Sequence, residues 1–148
     1  EFTPRVSIQT ISNAMDVGNP SNFDRIRVLF NQDDDDIRKS IKGYSFSDDE
    51  TRNKIKEMYA KYRYITDPHT AVGFLASDHY RTDYEKDSPQ IILSTAHASK
   101  FSKVVEEEIP VEVEIPERLV KALNREERSL PISSHYSNFK RTLLKRYH

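Results

Sequence analysis

The chain of 148 residues has no cysteine, only three glycines and no long apolar run. Without cysteine it can form no disulfide, thiolate metal site or thiol nucleophile. Three glycines cannot supply the glycine-rich phosphate loop of Walker or Rossmann proteins. No stretch approaches the roughly 18 uninterrupted apolar residues that a membrane-spanning helix needs, and residues 1–10 show no signal peptide. These absences favour a cytoplasmic protein without a membrane partner.

The chain also has no excess of charge of either sign. Its 23 basic and 24 acidic side chains leave a net charge of −1, whereas nucleic-acid surfaces are usually met by a basic excess. Charged residues make up 32% and apolar residues 36%, which is polar for a self-contained α/β domain. A well-solvated small domain and a fragment of a longer protein both fit. The start at Glu1 favours the fragment, although a cloning junction or processed terminus would look the same.

Motifs of the familiar catalytic classes are missing as well. The five histidines show no metal-binding spacing such as HExxH, and no GxSxG elbow supports a hydrolase. Four consecutive aspartates at residues 33–36 suggest a metal site at first sight. Calcium loops, however, space their ligands and place a glycine at the turn. We interpret residues 33–36 as a solvated surface loop and predict no metal ligand.

Three segments have the apolar pattern of short strands. Within residues 6–15, Val6, Ile8 and Thr10 alternate, which is typical of a strand or a loop that lines a core. Residues 43–46 alternate too, and residues 91–93 (Ile-Ile-Leu) are predicted to form a buried strand. Because helical segments lie between them, the sequence predicts an α/β fold.

Helical spacing is clearest after a capping box formed by Ser47 and Glu50. Behind it, four apolar residues at i, i+3, i+4 and i+7 predict one inward face: Ile55, Met58, Tyr59 and Tyr62. Two further helices are predicted after capping signals: residues 20–30 follow an Asn-Pro cap, and residues 70–76 follow Asp67-Pro68. Three more are predicted after residue 97, at residues 117–124 and from Tyr136 onwards. Gly73 offers a point of close approach.

Two turns have the position at which α/β proteins bind ligands, beyond a strand and before a helix. The first is residues 15–20, which turn through Gly18 into a capped helix. The second is residues 94–97, where the hydroxyls of Ser94 and Thr95 could hydrogen-bond a ligand. Both hydroxyls could instead simply cap the next helix, and spacing alone favours that interpretation.

Three segments resemble threonine synthases of many bacteria and fungi: residues 13–23 (NAMDVGNPSNF), 67–73 (DPHTAVG) and 95–101 (TAHASKF). They occur in the order of the family, and the first is the most specific. The resemblance covers nearly the whole chain but only the C-terminal part of the family's sequence. It implies that residues 1–148 form part of the large domain of a three-layer αβα fold of the tryptophan-synthase-β-like type. Residues 117–148 would be its C-terminal helical tail.

The resemblance also implies a cofactor and its neighbours. Threonine synthases convert O-phosphohomoserine and water into threonine and phosphate, with pyridoxal phosphate as an electron sink. The match assigns Thr95 a hydrogen bond to the pyridine nitrogen of the cofactor and places Ala14, Met15 and Asp16 on the cofactor's side of the cleft. Ser94 stands where the family frequently has glycine, which leaves the shape of this turn open.

No catalytic residue is predicted in this chain. The family's Schiff-base lysine lies in a Phe-Lys-Asp motif upstream of the matched region, and Lys86, in a polar loop, is no match for it. Lys100 is the only lysine close to Thr95, and we interpret it as a surface residue. We therefore expect a segment that is inactive alone, with the N-terminal remainder of the enzyme as its partner. The alternative is a non-catalytic module for ligand sensing or protein interaction.

Overall fold

The computed structural model describes residues 6–13, 17–18, 20–84 and 87–147. It divides into two units, Glu1–Glu114 and Ile115–His148, and each is described by itself. The helices are α1 (Phe23–Leu29), α2 (Asp34–Ser40), α3 (Asp48–Tyr62), α4 (Pro68–Tyr84), a 3-10 helix (Ala98–Phe101), α5 (Ser102–Glu106), α6 (Glu117–Leu123) and α7 (Tyr136–Tyr147).

The core of the first unit lies where α3 and α4 meet the segment around α5. Ile55 of α3, Ala71 of α4 and Val105 of α5 are fully buried. Three more apolar residues complete this buried cluster: Ala98, Ile109 and Val113. Half-buried side chains surround it: Tyr59, Ile65, Phe101 and Val111. In the helical segment after residue 97, which the sequence predicts, Val105 is thus buried and Phe101 is half-buried.

Helix α3 begins as its sequence predicts. The Ser47 hydroxyl accepts a hydrogen bond from the Glu50 backbone N–H at 3.3 Å, and the Glu50 carboxylate accepts one from the Ser47 backbone N–H at 2.7 Å. The hydrogen bonds that the backbone N–H and the hydroxyl of Ser47 donate to the Glu50 carboxylate lower the pKa of Glu50. The predicted inward face holds for Ile55 and Met58, but Tyr62 is 58% exposed, and its assignment to the core was wrong.

Helix α4 carries the second confirmed cap. Asp67 accepts hydrogen bonds from the backbone N–H groups of His69 and Thr70 at 2.9 and 3.3 Å. Along the helix, Thr70 and Ala71 are buried, whereas residues 72–76 are half-buried. The close approach predicted at Gly73 is confirmed, because a Cβ there would lie 3.0 Å from a methyl carbon of Ile92.

The three predicted strands are not found, since no described residue lies in a β-strand. Val6 and Ile8 are 89% and 71% exposed, and residues 43–46 are irregular. Residues 91–93 are not a buried strand either, since Ile91 and Leu93 are 88% and 75% exposed. A strand needs hydrogen bonds from a neighbouring strand, and the described part of the chain supplies none. The α/β class is therefore only partly visible in this chain.

Two predictions near the N-terminus were also wrong in detail. Residues 33–36 do not form a loop, because the Asp33 carboxylate caps α2 by accepting the backbone N–H groups of Asp35 and Asp36 at 2.9 and 3.0 Å. Acidic side chains are tolerated there by the positive end of the helix dipole. Helix α1 begins at Phe23 instead of residue 20, and its N-cap Asn22 makes no side-chain capping bond. Among the described residues, no cluster of His, Asp and Glu could hold a metal ion.

Ion pairs tie α3 to the chain that follows α5. Arg52 bonds Glu107 at 3.0 Å and also contacts Glu108, and Lys56 lies 2.7 Å from Glu108. The Glu108 side chain is only 7% exposed. The hydrogen bond from Lys56 lowers the pKa of Glu108, and the bond from Arg52 adds to this effect against the opposing cost of burial.

The lowered pKa predicts a contribution of Glu108 to stability that depends on pH. A carboxyl whose pKa is lower in the folded state stabilises the fold above its unfolded-state pKa, and this stabilisation is lost as the pH falls through the folded-state pKa. We expect Glu108→Gln to lower the free energy of unfolding at pH 7. The difference between the free energy of unfolding at pH 7 and that at acidic pH should also become smaller. Urea unfolding at a series of pH values measures both effects, and Glu126→Gln, at a residue 81% exposed, is the control. Equal pH profiles for the two variants would contradict this role.

The second unit contains α6 and α7. Helix α6 agrees with the prediction for residues 117–124 and carries an ion pair between Lys121 and Glu117 at 2.5 Å. Helix α7 is present as predicted, but its apolar side chains remain accessible: Tyr136, Phe139 and Leu143 are 75%, 45% and 46% exposed. In the described residues of both units, no helix is long and apolar enough to cross a membrane.

Candidate functional site

The turn at residues 94–97 lies beside the N-terminus of α4. The Ser94 hydroxyl oxygen is 3.4 Å from the hydroxyl oxygen of Thr70. Thr95 follows directly, is exposed, and has no hydrogen-bond partner for its hydroxyl among the described residues. The turn therefore contacts α4 through Ser94, and it presents one free, neutral hydroxyl at Thr95.

The buried carboxylate of Asp67 bonds Thr70, the residue that Ser94 contacts. Asp67 is 2% exposed, and one of its oxygens accepts a short hydrogen bond from the Thr70 hydroxyl while the other accepts the capping bonds of α4. A hydrogen bond to a charged group contributes about 1.5–3 kcal/mol. Asp67, Thr70 and Ser94 thus form a chain of polar contacts, which we call the anchor chain, from the helix cap to the turn.

The helix after the turn is capped by His97. Its ring Nδ1 accepts a hydrogen bond from the backbone N–H of Ser99 at 3.2 Å and lies 2.8 Å from the Ser99 hydroxyl. The interpretation in which Ser94 and Thr95 cap this helix is therefore wrong. Histidine is an uncommon cap, so the sequence carries no strong signal for this role. Lys100 is exposed and makes no ion pair with any described residue.

His69 is a further residue of this region that sequence reasoning missed. Its ring centre lies 5.1 Å from that of Phe101. Its Nδ1 lies 3.4 Å from an Asp67 carboxylate oxygen and is buried without a hydrogen bond in the described structure. Residues 67–73 and 95–101, which carry two of the resemblances, therefore meet in space. Their separation along the chain gave no indication of this contact.

The other predicted ligand-facing turn is only partly described. Ala14, Met15 and Asp16 lie outside the described residues. Next to them, the Asn13 side chain donates to the Ile8 carbonyl at 3.3 Å, and the Ile11 N–H donates to the Asp48 carboxylate at 3.2 Å. No hydrogen bond among the described residues joins this stretch to the turn at residues 94–97.

Known proteins resemble the chain over most of its length. The family model for the C-terminal region of threonine synthase matches residues 70–142. The threonine synthase of Buchnera aphidicola subsp. Schizaphis graminum is 32% identical over 93% of this chain and 30% of its own length. The threonine synthase of Escherichia coli K12 is 30% identical over 91% of this chain and 29% of its own length.

Solved structures give the same result. The crystal structure of threonine synthase from Escherichia coli superposes with a TM-score of 0.72 and 25% identity, and covers 99% of this chain and 33% of that enzyme. The structure of PLP-bound threonine synthase from Brucella melitensis gives a TM-score of 0.60 and 28% identity, over 84% of this chain and 31% of that enzyme.

These matches therefore define a C-terminal segment of the threonine synthase type. The chain belongs to the threonine synthase family. It spans about a third of the length of the relatives that it matches. The family resemblance is confirmed, and the matched family model includes residues 70–73 and 95–101.

Proposed function

We propose that this chain is the C-terminal part of a threonine synthase that converts O-phosphohomoserine and water into threonine and phosphate with pyridoxal phosphate. Within it, Thr95 donates a hydrogen bond to the pyridine nitrogen of the cofactor. The observation that carries this proposal is the free hydroxyl of Thr95 beside the anchor chain. Family membership supports the reaction and the cofactor, since one of the similar structures is PLP-bound.

The donor at this position fits a pyridine nitrogen. That nitrogen accepts one hydrogen bond, and the Thr95 hydroxyl has one hydrogen to donate. Because the hydroxyl is neutral and remains un-ionised, it orients the ring without handing over a proton, unlike a carboxylic acid. Pyridoxal phosphate, when bound, supplies an electron sink for carbanion chemistry. The anchor chain contacts this turn through Ser94, the residue next to Thr95.

The remaining parts of the site are proposals that rest on the family resemblance. Ala14, Met15 and Asp16 lie on the cofactor's side of the cleft. The Schiff-base lysine comes from the N-terminal remainder of the enzyme, so this chain is inactive alone. Residues 1–148 belong to the large cofactor domain, with residues 117–148 as its helical tail, and the enzyme is cytoplasmic.

Reconstitution tests this function. The chain is co-expressed with the complementing part, which is the portion of the Escherichia coli threonine synthase outside the region matched here. We expect phosphate and threonine to be released from O-phosphohomoserine only when both parts are present. The chain alone is incubated with pyridoxal phosphate, reduced with borohydride and analysed by mass spectrometry. A cofactor attached to a lysine of this chain would contradict the proposal, and an assembled pair without phosphate release would favour the non-catalytic module.

A further inference from the structure

Positive charge is concentrated in the second unit of the chain. Residues 115–148 carry eight basic and three acidic side chains, whereas residues 1–114 carry 15 basic and 21 acidic ones. Helix α7 contains basic residues but no acidic one. Two of its cations, Arg141 and Lys145, are four residues apart, and like charges at this spacing repel each other. Helix α7 therefore carries positive charge that no acidic side chain of the same helix balances.

Part of this charge lines an open groove in the second unit. The groove has a volume of about 560 Å³, within the range of about 300–1,000 Å³ that is typical of small-molecule sites. One wall is residues 128–130, in the connection between α6 and α7. The other wall consists of Thr142, Lys145 and Arg146, which share one face of α7 because they are at i, i+3 and i+4. The groove thus brings together three cations and two hydroxyl groups.

The polar groups of the groove are not paired within the described part of the chain. Lys145 and Arg146 make no ion pair with any residue that the structure describes. Arg128 lies 3.7 Å from Glu126, but the two side chains are 83% and 81% exposed, and such a surface pair contributes little. The hydroxyls of Ser129 and Thr142 make no hydrogen bond with a described residue either. These groups are therefore available to an anionic ligand.

The helix dipole explains only part of this arrangement. Basic side chains in the last turn of a helix are stabilised by its negative end, and Lys145 and Arg146 have that position in α7. Arg128, however, lies outside any helix. The dipole therefore does not explain why a third cation and two hydroxyls line the same groove as the last turn of α7.

We propose that this groove binds a small molecule through a polyphosphate group. The guanidinium groups of Arg128 and Arg146 can each pair with two phosphate oxygens, and the Lys145 ammonium adds a further charge-assisted bond. The groove is much larger than one phosphate ion, and its three cations match the charge of two or more phosphate groups. An organic group attached to the phosphates would contact Leu130, an apolar side chain that is 54% exposed. This inference does not depend on the proposed function.

Calorimetric titration of the chain with three probes tests the ligand class. The probes are inorganic tripolyphosphate, adenosine triphosphate and inorganic phosphate. We expect both polyphosphates to bind about 30-fold more tightly than inorganic phosphate, because they reach more than one cation. Equal affinity for the two polyphosphates, or tighter binding of adenosine triphosphate through its nucleoside, would support the proposal. It would be overturned if inorganic phosphate bound as tightly as tripolyphosphate, or if neither polyphosphate bound with a Kd below about 1 mM.

Variants test whether the groove itself is the site. Arg128→Ala and Lys145→Ala are each expected to weaken tripolyphosphate binding about tenfold, because each removes a cation that bonds the phosphates. Lys140→Ala is the matched control, since it removes the same charge from the same helix. Lys140 lies about 140° around the helix axis from Lys145 and does not line the groove, so its loss should weaken binding less than about twofold. Equal weakening by Lys140→Ala and Lys145→Ala would indicate diffuse binding and overturn the proposal.

Two further titrations distinguish other occupants of the groove. A DNA duplex that binds more tightly than tripolyphosphate, and depends equally on Lys140 and Lys145, would indicate an extended nucleic-acid surface and contradict a small-molecule site. Tripolyphosphate is also added to the complex of the chain with the complementing part. Binding there that Arg128→Ala weakens about tenfold would support the proposal. Binding to the chain alone, but not to the complex, would show that the complementing part fills the groove and would overturn it.

Discussion

Replacing Thr95 with valine in the reconstituted enzyme is expected to lower the rate of phosphate release about 10- to 100-fold. Valine has nearly the same shape as threonine but has no hydroxyl. A buried acceptor left without its donor costs about 1–3 kcal/mol, and each 1.4 kcal/mol corresponds to a factor of about ten in rate or affinity. Fluorescence titration with pyridoxal phosphate and an assay of phosphate release measure the two contributions separately.

Two further variants make this experiment specific. Thr95→Ser keeps the hydroxyl and should retain most of the activity. Thr82→Val removes a hydroxyl that bonds within α4, to the Asp78 carbonyl at 3.1 Å, and should leave cofactor affinity and activity unchanged. Full activity of Thr95→Val would contradict the role of the hydroxyl without affecting the family assignment. Equal losses in Thr95→Val and Thr82→Val would point to a general effect on folding.

The features predicted correctly from the sequence depend on contacts between residues close together in the chain. The capping box of Ser47 and Glu50 and the Asp67 cap are complete within three residues. The aspartates at residues 33–36 show the limit of this reasoning. Their mutual repulsion suggested a loop, but the bonds from Asp33 to two backbone N–H groups support a helix instead. Composition did not reveal which of these two local effects is larger.

Strands could not be assigned reliably, because their stabilisation comes from another part of the chain. Ile91, Ile92 and Leu93 have the right residue types, yet burial depends on what covers them, and the described residues cover only Ile92. The residue types therefore predicted a strand, but they could not show whether a partner strand lies within the same chain. The α/β class is for this reason only partly visible in the described residues.

The candidate site, too, has features that the sequence predicted and features that only the structure showed. Spacing alone favoured a capping role for Thr95, and only the family resemblance pointed to a ligand. The structure assigns the cap to His97 and leaves the Thr95 hydroxyl free. The contact between Ser94 and Thr70 joins residues 24 positions apart. Pairing of this kind follows from packing of the turn against α4, and neither residue type nor spacing indicates it.

Replacing Asp67 with alanine is expected to lower the free energy of unfolding of this chain by about 2–4 kcal/mol. The change removes the cap of a 17-residue helix, which alone costs about 0.5–2 kcal/mol. It also leaves the buried hydroxyl of Thr70 without its charged partner, at about 1–3 kcal/mol. Asp67→Asn retains an acceptor for the backbone N–H groups of the helix and should lower the free energy of unfolding by less. Urea unfolding followed by circular dichroism measures the differences.

The matched control is Asp33→Ala, which removes the cap of the exposed helix α2 and should cost no more than about 1 kcal/mol. Asp33 also accepts two backbone N–H groups, but it bonds no buried side chain. The difference between the variants therefore isolates the contacts that Asp67 makes beyond the cap. If Asp67→Ala and Asp33→Ala lower the free energy of unfolding equally, the anchor chain adds nothing to stability. The position of the turn at residues 94–97 must then depend on packing alone. If Asp67→Ala costs more, and Thr70→Val reproduces the excess, the carboxylate stabilises the turn through Thr70.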